Sequence, residues 1–148
     1  MRTPASIKGH PIHPMLVAIP IGAWIVALVA DVMVHFGRVP GWRSAAYYAI
    51  GIGVVGALLA AAPGLIDLMS LPKSRARNLG ILHMGINLLV VVIMSVNFLV
   101  RRGNADHSGM LRLTAISVAL LLVSGWLGGE MVYVGGVGVE GREPPARP

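Results

Sequence analysis

The chain has 148 residues, 55% hydrophobic and 12% charged, with a net charge of +6 and a mean hydropathy of +0.76. Soluble domains carry about a quarter charged residues, so lipid is expected to solvate this surface, and the length suits one domain and not two. The absence of cysteine excludes disulfides, a Cys-ligated iron–sulfur cluster and a covalently attached c-type haem within this sequence.

A spanning helix needs about twenty apolar residues. The first such run opens at "GHPIHPMLVAIPIGAW", which begins at Gly9. Pro11 and Pro14 are expected to hold the "HPIHP" backbone extended, because the residue before a proline avoids the helical region. Pro14 can then start the first helix, where its missing N–H costs nothing. His10 and His13 would form a rigid lid over its mouth. This span is expected over residues 14–36. Its length and Asp31 argue for a retained helix rather than a cleaved signal peptide.

"GRVPGWR" leads into a second span, residues 45–71. Gly53, Gly56, Ala60, Pro63 and Asp67 share one of its faces, a spacing that lets helices approach closely in lipid. That face serves a bundle or a homo-oligomer equally well. Pro63 with Gly64 is expected to bend the helix. "LPKSRAR" precedes a third span, residues 79–100, with Gly80, His83, Asn87, Met94 and Asn97 on one stripe. "RRGNADHSGM" precedes a fourth, residues 113–134, with a Ser117–Ser124–Gly128 stripe and Glu130 beside it. "EGREPPARP" reads as a disordered tail, residues 140–148, after a transmembrane domain of residues 1–139.

The fold class is therefore all-α, an integral membrane antiparallel four-helix bundle, since short loops make sequential helices antiparallel neighbours. The pI near 10.8 could suggest nucleic acid. No such partner is expected, because the basic residues sit in gaps between apolar runs, where they bind lipid headgroups. One side of the bilayer holds Arg2, Lys8, Lys73, Arg75, Arg77, Arg142 and Arg147; the other holds Arg38, Arg43, Arg101, Arg102 and Arg112. The positive-inside rule then puts both termini in the cytoplasm.

Ionised side chains at mid-bilayer cost about 2.5–3.5 kcal/mol even on the lenient scale, so they face inward and find partners. Span order brings His13, Asp67, His83 and Glu130 to one end of the bundle, with His10 beside them. Three imidazoles with two carboxylates form a ligand set: imidazole binds Zn, Cu and Fe, and two imidazoles can clamp haem iron. The plainer reading makes His83 and Asn87 a hydrogen-bonded interhelical pair and has Asp67 cap loop amides or pair with Lys73. At the other end, Asp31 and His35, with Asn97 and Arg101, read as a salt-bridge or hydrogen-bond cluster. His107 is a loop residue. The tryptophans and tyrosines read as packing or interfacial anchors.

At "GHPIHPMLVAIPIGAW", "APGLIDLM", "LHMGINLL" and "GWLGGEMVYVGGVGV" the chain resembles a family of small four-helix bacterial membrane proteins of unknown function. The resemblance runs over residues 9–139 and matches His10, His13, Asp67, His83, Asn87 and Glu130. Some relatives look as though they are fused to Rieske or cytochrome c domains, which implies membrane electron transfer by association. It also implies the bacterial inner membrane. This chain carries neither domain, so a redox partner would be a separate protein of that kind.

Three functions stay open. One is b-type haem for electron transfer, with His83 and His13 (or His10) axial, Asp67 orienting a ligand imidazole, and Asn87 and Glu130 at the propionates. Another is a non-haem Zn, Cu or Fe site on His10, His13, His83, Asp67 and Glu130, for metal handling or hydrolysis. The third is a cofactor-free assembly subunit. Whether the protein is an enzyme is left undecided by the sequence.

Overall fold

The computed structural model describes residues 3–102 and 108–139. The tail expected at 140–148 and His107 lie outside the described residues. A two-stranded hairpin, β1 (Ser6–Ile7) and β2 (His10–Pro11), leads into a short helix α1 (Ile12–Leu16), followed by α2 (Ala18–His35), α3 (Trp42–Ser70), α4 (Arg75–Arg101) and α5 (Ser108–Tyr133). Four helical segments are long and apolar enough to cross a membrane, the first running over Ile12–His35 through Val17. The chain is an all-α membrane bundle.

The first helix begins two residues earlier than the prolines suggested. Only His10 and Pro11 are extended; Ile12 and His13 are already helical. Pro14 is thus the third helical residue. The first turn of a helix has no intrahelical acceptor for its N–H groups, so a proline there forfeits no bond. The hairpin ahead of it turns at Lys8 and Gly9, with φ of 50° and 83°. A two-residue turn with positive φ at both positions matches strand twist, and glycine takes one of them without a steric penalty.

The other boundaries also move. Ser74 caps α4 by accepting the Arg77 N–H at 3.3 Å, so that helix starts four residues before its apolar run. Both α3 and α5 likewise extend N-terminally into the polar joints. Pro63 lies inside α3, which is assigned as one helix on both sides of it.

α2 packs on α3 and α5, and α4 packs on the same two, so α2 and α4 are diagonal partners running in the same direction. The interior packs a few large apolar residues, Trp24, Ile50, Val90 and Met94, among small and polar ones. Ala27, Ala30 and Ala46 are fully buried together with Asn97, Thr114 and Ser117. The outside is large and apolar: Leu58, Leu59, Val92 and Leu122 are all more than half exposed. In water such a surface would be one continuous aggregation patch; in lipid it is the solvated face. Trp126 and Tyr133 are exposed there, whereas Trp24 is in the core.

The small-residue face of α3 is used inside the bundle. A side chain at Gly53 would land on the Trp24 indole, and one at Gly56 would meet Ile19 at 2.7 Å. That face is therefore occupied by α2 and is not free for a second copy.

At the end away from the hairpin, Asp31 and Arg101 form a two-pronged ion pair, Nη1 to Oδ1 at 2.8 Å and Nη2 to Oδ2 at 2.6 Å. Arg101 Nε donates to Asn97 Oδ1 at 2.8 Å, and the Thr114 hydroxyl donates to Asp31 Oδ2 at 2.7 Å. Both charged side chains are 2% exposed. Asp31, Asn97 and Arg101 thus meet as expected and Thr114 joins them. His35 stands apart, its ring edge-on to Phe36 at 4.6 Å.

Gly53→Ala should cost about 1–3 kcal/mol by overpacking, because Trp24 must move and give up its N–H bond to the Ile50 carbonyl. Gly22→Ala, with nothing near its new methyl, should stay within about 0.5 kcal/mol. Thermal unfolding in detergent followed by tryptophan fluorescence separates the two.

Candidate functional site

The hairpin end of the bundle holds the residues that span order was expected to gather. Two of them meet. The rings of His13 and His83 are 6.2 Å apart between centroids and stand at 83° to each other. They come from α1 and α4, and so from the two diagonal rods.

Each ring is fixed in the same way. His13 Nδ1 lies 2.8 Å from the Ala60 carbonyl on α3. His83 Nδ1 lies 2.8 Å from the Ser124 carbonyl on α5. A carbonyl only accepts, so Nδ1 carries the hydrogen in both rings, and a neutral ring then keeps its lone pair on Nε2. Among the described residues neither Nε2 has a hydrogen-bond partner. A glycine one turn beyond each carbonyl gives the ring its space. A side chain at Gly64 would meet His13 Nδ1 at 2.7 Å, and one at Gly128 would meet His83 Cε1 at 3.3 Å.

Asn87 supports this arrangement from below. Its amide donates to the His83 carbonyl at 2.9 Å and to the Ser124 hydroxyl at 2.7 Å. That hydroxyl also lies 2.9 Å from His83 Nδ1. The interhelical partnership read for His83 and Asn87 is therefore present, with Ser124 as the third member. Ser124 was seen in the sequence only as a stripe residue; its carbonyl, the group that matters most, has no sequence signature.

The other expected members are elsewhere. Asp67 is nearly buried, and its Oδ1 accepts the Ala5 N–H at 2.9 Å, tying the hairpin down to α3. It caps a backbone amide, as the plainer reading had it. Glu130 is partly exposed and faces the exposed Arg75 at 3.9 Å. His10 is exposed, with Nδ1 3.2 Å from the Lys8 carbonyl in its own turn. The lid of two imidazoles is thus a lid of one: His13 is carried inward by the early helix start, and His10 stays on the strand outside. Among the described residues no group of three or more His, Asp or Glu is close enough to hold a metal ion.

The C-terminal "GGVGV" closes over the same end. Gly138, at φ +76°, sits against Pro11, 3.2 Å from where its side chain would be. Both termini of the bundle domain therefore converge on the imidazole end. The family description of a predicted membrane protein matches residues 9–141, from the "HPIHP" opening to just past this closing turn.

The chain belongs to the DUF2231 family of predicted membrane proteins. No curated protein and no solved structure matches it. In this DUF2231 protein the match includes both imidazoles, both carbonyls that accept their N–H bonds and both glycines at their rings.

Ser124→Ala should destabilise the DUF2231 bundle by about 0.5–1.5 kcal/mol, since Asn87 loses its partner across the α4–α5 seam. The His83 bond to the Ser124 carbonyl should persist, with the ring's Nδ1–H retained. Unfolding in detergent measures the first effect, and histidine nitrogen chemical shifts in lipid read the second.

Proposed function

We propose that this protein binds b-type haem between His13 and His83 and passes electrons within the membrane. The observation that carries the reading is the donor set: two imidazoles, each with Nδ1 spent on a helix carbonyl and Nε2 left over. Histidines that ligate metals almost always donate their second ring N–H to a carbonyl, carboxylate or water.

The count of donors favours haem over a bare ion. A structural zinc takes four protein ligands and a catalytic one takes three. His10, Asp67 and Glu130 are engaged away from the pair. Haem brings four equatorial nitrogens of its own, so two imidazoles suffice. An imidazole nitrogen bonds a metal at about 2 Å, and its ring centre lies about 1 Å further back. If both Nε2 atoms turned toward one metal, the ring centres would stand about 6 Å apart; those of His13 and His83 are 6.2 Å apart.

When bound, haem supplies a one-electron carrier. What the chain supplies is orientation. Ala60 and Ser124 fix the tautomer and direction of each ring, Asn87 steadies Ser124, and the hairpin limits access from the headgroup side. The electron partner is a separate redox protein of Rieske or cytochrome c type. The setting is a bacterial inner membrane with both termini cytoplasmic.

A second reading rests on the same bonds. The histidine–carbonyl contacts fasten α1 to α3 and α4 to α5, which is the work of a cofactor-free assembly subunit. An absorption spectrum of protein purified from haem-replete cells separates the two. The expected result is a Soret band that sharpens on dithionite reduction and is lost in His83→Ala and in His13→Ala, while His10→Ala and His107→Ala keep it. A colourless protein with stoichiometric zinc, copper or iron would favour a bare ion site instead. A colourless, metal-free protein would favour the assembly reading.

A further inference from the structure

The imidazole pair and the Asp31–Arg101 ion pair lie on the same two diagonal rods, and their registers match. Asp31 comes eighteen residues after His13, and Arg101 eighteen residues after His83. Eighteen residues make five turns and about 27 Å of rise, so in each rod the histidine and the charged residue share a face. The junction between α1 and α2 does not break this count, because Val17 is itself helical at φ −64° and ψ −19°.

Burial repeats in the same register. Pro20, Trp24 and Ala27 are buried in α2; their counterparts seventy positions on, Val90, Met94 and Asn97, are buried in α4. The supporting helices repeat as well. Ala60 and Gly64 hold His13, and sixty-four positions on, Ser124 and Gly128 hold His83. These correspondences are what an approximate half-turn about the bundle axis, relating α1–α3 to α4–α5, would produce. Parallel repeats of this kind are one way membrane proteins build a central site.

We propose that the Asp31–Arg101 pair is the positioning device for the imidazole pair. It fixes the relative height of the two rods at one membrane side, and thereby sets the height and separation of His13 and His83 at the other. The two-pronged geometry matters. Sliding one rod past the other by a single residue, about 1.5 Å, would break both prongs, at 2.6 and 2.8 Å, and leave two charges unpaired in the bundle interior. Asn97 and Thr114 hold the prongs from the sides, so rotation is opposed too. α2 and α4 are diagonal and otherwise depend on α3 and α5 for their alignment. Equal five-turn spacers then make a level ion pair equivalent to a level imidazole pair. The use of that spacing rests on the haem reading above; the spacing itself does not.

The test is magic-angle-spinning NMR of histidine-labelled full-length protein in lipid. A His10→Gln, His35→Gln, His107→Gln background leaves His13 and His83 as the only rings. Dithionite keeps any low-spin iron diamagnetic. With the ion pair intact, a ring-to-ring cross-peak is expected. In Asp31→Asn with Arg101→Gln, which removes both charges and the two-pronged grip, that cross-peak should be lost while helix content by circular dichroism holds. Ser117→Ala, which removes a buried hydroxyl with no partner among the described residues, should keep it. A full-strength cross-peak in the neutral pair overturns the proposal. If the neutral pair does not fold, Arg101→Lys decides: it keeps the charge but not the two-pronged grip, so a weakened cross-peak is expected and an unchanged one overturns the proposal. The Soret absorbance of the same samples is read separately, so loss of the haem reading and loss of this one are distinct results.

Discussion

A buried carboxylate in hydrocarbon has no water to fall back on, and the bundle is organised around that fact. Desolvating an ion pair costs several kcal/mol per ion, and the mutual attraction offsets this only when the remaining lone pairs and protons are also satisfied. Asp31 and Arg101 meet that condition through Asn97 and Thr114. Three helices, α2, α4 and α5, are joined at one point by groups that have no acceptable alternative partner in lipid. The hydrophobic effect, which assembles a soluble core, does little here, because lipid tails are as apolar as leucine. Fully satisfied polar bridges and close packing of small residues take over its part. That is why alanine, glycine, serine and asparagine are buried beside Trp24, Ile50, Val90 and Met94 while most leucines face out.

The imidazole end follows the same logic with neutral groups. A ring N–H that cannot reach water takes a helix carbonyl, and the carbonyls of Ala60 and Ser124 accept these bonds in addition to their place in the helices. Each bond costs the ring its freedom to flip, and that fixes which nitrogen carries the hydrogen. The same bonds that fasten the helices would also orient the rings for the ligand proposed above. The glycines at both rings argue the same way. Gly64 and Gly128 permit a close ring approach that an alanine would disturb, at two places in matching register.

Much of this was legible in the sequence, for a physical reason. Apolar runs of spanning length admit only helices, because irregular backbone in lipid would leave amides unpaired. Once four spans alternate, His13, Asp67, His83 and Glu130 must share an end, and Asp31 and Arg101 the other. The sequence could not say which of these touch. Asp67 went to an amide of the hairpin because the chain ahead of α1 folds back, a turn set by Lys8 and Gly9 outside any helical periodicity. His10 stayed outside because the first helix starts at Ile12, which the prolines obscured: a proline at the third helical position is as cheap as one at the first. Ser124 and Ala60 act through backbone carbonyls, which every residue possesses, so no pattern of side chains announces them. Thr114 was missed because a threonine near the end of an apolar run reads as an ordinary helix residue.

The matching registers also explain why so little sequence resemblance links the two hairpins. What a half-turn relation demands is position: a ring at one level, a carbonyl and a glycine across from it, a small or slender interior, and a polar group five turns away. It does not demand like residues. The polar groups five turns away in fact have to differ, because two aspartates or two arginines brought together there would repel in a medium that amplifies the repulsion. The imidazoles, by contrast, can be identical, since a neutral ring with a lone pair on Nε2 does not repel its twin as a charge would. One end of the diagonal pair therefore joins unlike residues and the other like ones.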